Sequence, residues 1–252
     1  MSLALLILIY VFIMGNIVGS FLNVCIYRIP RGESVVNPPS HCPHCGYQIR
    51  WYDNIPLVSY FMLLRGKCRS CKAKISIRYP IVEIMTGIIW TAIVMRYGIV
   101  LETLLYITFA TILIVISYID INEYYIPDRF SFSLFIIGIL FSFIPGGVSP
   151  ESSFIGAAAY GFPFLFLYIL GEDLLKKEVM GFGDIKLGIG IGAVLGYSGF
   201  YNFYIFFTLC FVIGAVVSIL LILVKIKSRK DLIPFGPFIA FSAFIMVMIS
   251  NK

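Results

Sequence analysis

The chain has 252 residues, of which 60% are hydrophobic and only 13% charged, with a formal net charge of +6 and a mean hydropathy of +0.97. A soluble domain carries about 25% charged residues, so this composition excludes an ordinary water-soluble globule. The basic excess fits either nucleic acid or the inner face of a membrane, and the placement of the basic residues decides between them.

A spanning helix needs about 20 apolar residues. The first such run covers residues 3–24. It lacks a basic n-region and a small-residue cleavage site, and it exceeds a signal-peptide core, so it reads as a retained anchor. A polar, basic stretch follows at residues 26–80. Further apolar runs lie at 81–95, 101–119, 130–144, 154–170, 185–195, 203–224 and 232–249. Backbone polar groups in lipid must be satisfied internally, which makes helices the natural form, and the short alternating segments of a membrane barrel are absent. The expectation is an all-α polytopic membrane protein of about eight transmembrane helices. It divides into an N-terminal anchor (1–25), an insertion between helices 1 and 2 (26–80) and a seven-helix membrane domain (81–252).

Placing residues 26–80 in the cytoplasm fixes the later loops by alternation. The loop near Arg129, the loop with Lys176, Lys177 and Lys186, and the run 225–230 then fall on the same side. This puts 17 of the 19 basic residues inside and leaves Arg96 and Lys252 outside. The chain satisfies the positive-inside rule with an external N-terminus, and nucleic-acid binding loses its main support.

Cys42-Pro-His-Cys45 and Cys68-Arg-Ser-Cys71 form two C-x2-C pairs separated by 22 residues. Four thiolates on two tight knuckles supply the tetrahedral sulfur cage of a structural zinc site. A redox dithiol needs one pair in a βαβ context, which this segment lacks. So small an insertion has little core of its own, which gives a metal staple a physical purpose. The predicted module is zinc-ribbon-like, with Gly46 relieving strain after the first knuckle. His41 and His44 are alternative ligands or exposed bystanders.

Charged groups against membrane helices each ask for a reason. Asp120 follows the apolar run 101–119, and Asp184 sits in Gly181-Phe182-Gly183-Asp184-Ile185-Lys186. By the topology above, both lie at cytoplasmic helix ends. Two close carboxylates cannot both ionise, so one can keep a proton while the other activates water for hydrolysis. Helix capping is the competing reading, and spacing alone does not separate the two. Asp128 after Pro127 reads as a cap, and Glu83 as a neighbouring or substrate-binding group. The glycines of 181–190 fail the context of a dinucleotide fingerprint and suit close helix packing instead.

Taken in order, these residues resemble the type IV prepilin peptidases, or prepilin leader peptidase/N-methyltransferases, a family of GxGD-type intramembrane aspartic proteases. The similar stretches are Gly19-Ser20-Phe21-Leu22-Asn23-Val24 with Ile26-Tyr27-Arg28-Ile29-Pro30, the paired C-x-x-C, and Arg78-Tyr79-Pro80-Ile81-Val82-Glu83. They continue with Ile119-Asp120, Ile126-Pro127-Asp128, the GxGD signature at Gly181–Asp184, and Pro234-Phe235-Gly236-Pro237-Phe238. The resemblance implies cleavage of the basic leader of type IV prepilins or pseudopilins at the cytoplasmic face of the bacterial inner membrane. It implies Asp120 and Asp184 as the catalytic pair, with Asp128 as the alternative acid. It also implies N-methylation of the new terminal residue from S-adenosylmethionine, with residues 19–28 and the cysteine insertion as the candidate donor region. A non-enzymatic assembly factor docking a partner through its zinc module is the reading from a different class. A transporter would want its polar groups near the bilayer midplane instead.

Overall fold

The computed structural model describes residues 2–176, 180–228 and 231–249, so Lys177, Arg229, Lys230 and Lys252 of the topological argument lie outside the described residues. Eight α-helices run in chain order among them: α1 (Leu3–Arg28), α2 (Arg78–Tyr97), α3 (Leu101–Glu123), α4 (Asp128–Phe141), α5 (Pro150–Leu170), α6 (Phe182–Leu195), α7 (Phe200–Leu223) and α8 (Gly236–Ile249). They occupy the apolar runs expected from the sequence. The described residues hold no strand, only two isolated bridges in the cysteine insertion.

Among the described residues, five helical stretches are long and apolar enough to cross a bilayer: α1, α2, α3, Pro150–Asp173 and α7. Large apolar side chains point outward along them, among them Ile9, Ile13 and Ile17 on α1 and Val212, Val216 and Ile219 on α7. That surface suits lipid, and the chain is a multi-pass membrane protein. Helices α4, α6 and α8 have 14 residues each. At 1.5 Å per residue such a helix is about 21 Å long, short of the roughly 30 Å hydrocarbon core.

The chain forms two compact units, Met1–Thr103 and Leu104–Lys252. In the first, α1 and α2 pack at backbone contact through the Gly15-x3-Gly19 spacing. A Cβ on Gly15 would lie 2.7 Å from the Cα of Gly87, and one on Gly19 would lie 2.8 Å from the Cα of Glu83. Small residues permit this approach where no hydrophobic force drives helices together in lipid. Asn23 Nδ2 completes the seam by donating to the Tyr79 carbonyl (3.1 Å). The packing therefore joins α2 to α1, whereas hydropathy alone groups residues 81–252.

In the second unit, α6 lies against both α4 and α5, and its glycines mark the contact lines. A Cβ on Gly190 would meet the Ser131 carbonyl at 2.8 Å, and one on Gly188 the Tyr160 carbonyl at 2.9 Å, while Gly192 and Gly156 face one another directly. Ser153 Oγ donates across the same seam to the Ala193 carbonyl (2.7 Å). A buried ring cluster fills the space behind, with Tyr160 and Phe206 at 4.8 Å between centroids. Overpacking such a contact costs about 1–3 kcal/mol or more. Gly192→Val is therefore expected to shift the protein from a single detergent-solubilised peak to aggregate in size-exclusion chromatography.

Candidate active site and metal centre

The cysteine module is two copies of one turn. In the first, Cys42 N–H donates to the Tyr47 carbonyl, Gly46 N–H to that of Cys42, and Ile49 N–H to that of Ser40. In the second, Cys68 N–H donates to Ala73, Lys72 N–H to Cys68, and Ile75 N–H to Gly66, at the same offsets. Gly46 and Lys72 occupy equivalent positions with φ of 70° and 59°, so the strain relief that glycine gives the first knuckle is carried by a lysine in the second.

The two turns bring all four Sγ atoms within 4.8 Å of one another. Cys42 and Cys71 stand 3.8 Å apart, and Cys45 and Cys68 4.0 Å. A tetrahedron with Zn–S near 2.3 Å has edges of about 3.8 Å, so the residues fit a zinc ion. Backbone N–H groups point at the sulfurs. That of Tyr47 holds Cys45 below the usual thiol range, and those of Cys71 and Ser70 hold Cys68 down at about 7. His41 and His44 are exposed and stand outside the cage. One element escaped sequence reasoning: Arg69, inside the second knuckle, forks onto the buried Asp53 carboxylate with Nε to Oδ2 at 2.9 Å and Nη2 to Oδ1 at 2.6 Å. Asp53 belongs to the 3₁₀ turn Trp51–Asn54, so this pair ties the connection between the knuckles to the metal cage.

The acids lie in the second unit. Asp120 ends the apolar face of α3, and its Oδ2 accepts the N–H of Gly236, the first residue of α8, at 2.9 Å. Asp184 occupies the third position of α6, where its carboxylate accepts the N–H of the N-cap Gly181. That is the return half of a capping box, so the capping reading of Asp184 holds as local geometry. It does not exhaust the residue. Asp120 and Asp184 are both buried, 6% and 7% exposed, and the Asp184 carboxylate lies within electrostatic reach of Asp120. Ile126 closes the arrangement: a Cβ on Gly183 would lie 3.0 Å from its Cβ, and one on Gly236 3.2 Å from its Cδ1. The C-terminal end of α3 and the N-termini of α6 and α8 thus converge on one spot.

The remaining candidate acids separate from this pair. Asp128 opens α4 without a side-chain capping bond. Its exposed carboxylate takes Lys186 Nζ at 2.7 Å. Glu83, in the first unit, is buried and accepts the Leu57 N–H at 2.9 Å. Sequence reasoning noted Gly236 only within a motif. Its function is steric as well as polar, because a Cβ there would lie 2.7 Å from Asp120 Oδ2. Gly236→Ala is expected to displace the carboxylate and lower turnover about 100-fold while the protein stays folded, since ångström misplacement costs that much.

The second unit thus holds two buried acids where the ends of α3, α6 and α8 meet, and the first unit holds a four-cysteine cage. Residues 13–97 match the bacterial peptidase A24 N-terminal domain and residues 107–219 the type IV leader peptidase family. A prepilin leader peptidase/N-methyltransferase of Aeromonas hydrophila is 34% identical over 262 residues, covering 94% of this chain and 89% of the relative. That of Neisseria gonorrhoeae is 36% identical over 265 residues, covering 95% and 90%. The protein of the same name from Myxococcus xanthus is 34% identical over 215 residues, with 85% of this chain and 63% of the relative covered. No solved structure matches. The chain belongs to the type IV leader peptidase family.

Proposed function

We propose that this protein removes the basic leader of type IV prepilins or pseudopilins at the cytoplasmic face of the membrane, and N-methylates the residue so exposed with S-adenosylmethionine as donor. The observation that carries the peptidase reading is the burial of Asp120 and Asp184 within electrostatic reach of each other. The family membership and the names of the relatives support both activities.

In this reading the two acids share one proton. The ionised carboxylate takes a proton from water as the water oxygen attacks the scissile carbonyl carbon. The protonated partner donates to the carbonyl oxygen, and the leaving amine is protonated as the C–N bond breaks. Gly236 and Gly181 each hold one carboxylate from the side, which fixes its orientation before substrate arrives. The short helices α6 and α8 begin at the acids, so a backbone can approach without crossing a full-length helix. A prepilin presents a basic leader followed by an apolar helix, and its cleavage point falls at the interface where the positive-inside rule puts these helix ends. Zinc is structural here, because four protein ligands leave no open position for water.

The test is purified protein in detergent, incubated with a prepilin and S-adenosylmethionine, and intact-mass spectrometry of the product. The expected product lacks the leader and carries one added methyl group. An unchanged prepilin with every substrate tried would reject the reading.

A further inference from the structure

The cysteine insertion carries an apolar face that the zinc cage does not use. Trp51 is 81% exposed and Met62 75%, and Val58, Phe61 and Leu63 are exposed beside Met62. Ser59–Leu63 forms one π-type turn, closed by the Leu64 N–H on the Ser59 carbonyl at 2.8 Å. The other side of this turn is fixed. Ser59 Oγ donates to the Ile55 carbonyl (2.7 Å), and Tyr60 Oη to that of Ile75 (3.4 Å), just past the second knuckle. Phe61, Met62 and Leu63 are thereby held outward, and a patch of this kind marks a contact surface. We propose that this turn and Trp51 lie in the interfacial layer of the membrane, with the flanking basic side chains on anionic lipid headgroups.

The chain leading into the turn sits at that depth. Helix α1 has 26 residues, about 39 Å at 1.5 Å per residue against a hydrocarbon core of roughly 30 Å, so Ser20 lies within the core and Arg28 beyond it. Ser20, Phe21 and Val24 share one cavity wall with Val36, Asn54 and Pro56 of the insertion. Leu57 N–H donates to Glu83 Oε2 at 2.9 Å, and Glu83, on the second turn of α2, takes a further hydrogen bond from Ser20. Residues 54–57 therefore fold back along both spanning helices. Leu57 holds a φ of 60° there, a conformation that a leucine keeps only where its surroundings fix it. Irregular backbone is tolerated at this level only with its polar groups satisfied. Pro56 has no N–H to satisfy, and Leu57 gives its own to Glu83.

Charge selects lipid as the occupant. Residues 29–77 hold seven basic and two acidic side chains, and one of the acids, Asp53, is taken by Arg69. A zinc tetrathiolate adds about two negative charges and leaves the insertion positive. Arg50 adjoins Trp51, Arg65 and Lys67 follow Leu63, and all three are exposed. Basic side chains flanking exposed aromatic and aliphatic ones suit a segment that lies on an anionic leaflet, the cytoplasmic one in the proposed topology. The basic leader of a prepilin would be repelled by the same charges, so lipid fits this face better than substrate does.

The test uses the full chain with Trp51→Phe, Trp90→Phe and Met62→Trp, matched to the wild type in zinc content and elution profile. It is reconstituted in nanodiscs of phosphatidylcholine and phosphatidylglycerol. Fluorescence of the single indole is expected to be blue-shifted and quenched at least about twofold by phosphatidylcholine brominated near the head of its acyl chains, with little quenching by iodide. Phe61→Trp in the same background is a second reporter and is expected to agree. Omitting phosphatidylglycerol, or adding Arg65→Gln and Lys67→Gln, is expected to weaken the lipid quenching. Emission like that of an indole in water, quenched by iodide and not by brominated lipid, overturns the proposal. Emission that stays water-like in nanodiscs and shifts only when a prepilin is added also overturns it, and would make this face a substrate surface. Lipid quenching that ignores both headgroup charge and the two Gln changes overturns the role of the basic flanks.

Discussion

Cys68→Ser is expected to empty the metal cage and unfold the insertion. All four sulfurs sit at tetrahedral spacing, and the flanking segments contribute only short turns and two bridges. Structural zinc in such small modules supplies about 10–16 kcal/mol of apparent binding free energy, which is the folding free energy of the module. Metal analysis should give about one zinc per wild-type chain and almost none in the variant. Limited proteolysis should newly cut within residues 29–77, while circular dichroism keeps most of the helical signal because the helices hold their own seams. Full zinc retention in Cys68→Ser would show that the cage is not the ligand set.

Asp120→Asn and Asp184→Asn are each expected to lower leader cleavage about 1,000-fold or more with the fold intact, the scale of losing an acid or base at the reacting bond. Both substitutions keep the shape and an acceptor for the Gly236 or Gly181 N–H, so the loss reports the missing carboxylate. Asp128→Asn is the contrast. Its partner Lys186 is an exposed ion pair, of a kind that contributes at most about 1 kcal/mol, so cleavage should change less than about fivefold. A protein acting as an assembly factor would show the opposite order, with cysteine changes abolishing function and aspartate changes sparing it.

The positions of the eight helices were legible because lipid solvation writes itself into hydropathy. Their ends were not, because caps set them. The apolar run of α6 starts at Ile185, yet the helix begins at Phe182, which places Asp184 inside the first turn with its carboxylate returned to Gly181. The glycines of that segment suit close helix packing: Gly188 meets the Phe164 ring and Gly190 the Ser131 carbonyl, while Gly183 meets the Ile126 side chain. Both zinc knuckles were legible from spacing, because four cysteines at short range have few other uses. The Asp53–Arg69 fork and the Gly236 donor were not, since each joins residues whose neighbourhood exists only after folding. The α1–α2 pairing was written in Gly15-x3-Gly19, but hydropathy groups helices by loop length and so left α2 with the later ones.

The most direct test of the shared-proton pair needs no mutation: the pH dependence of leader cleavage by the unaltered protein in detergent. One acid must be ionised and the other protonated, so the rate is expected to pass through a maximum and fall on both sides. It falls in acid as both carboxyls take protons and in alkali as both lose them. A rate that climbs with pH to a plateau and stays there would contradict a carboxyl pair and point to a single base.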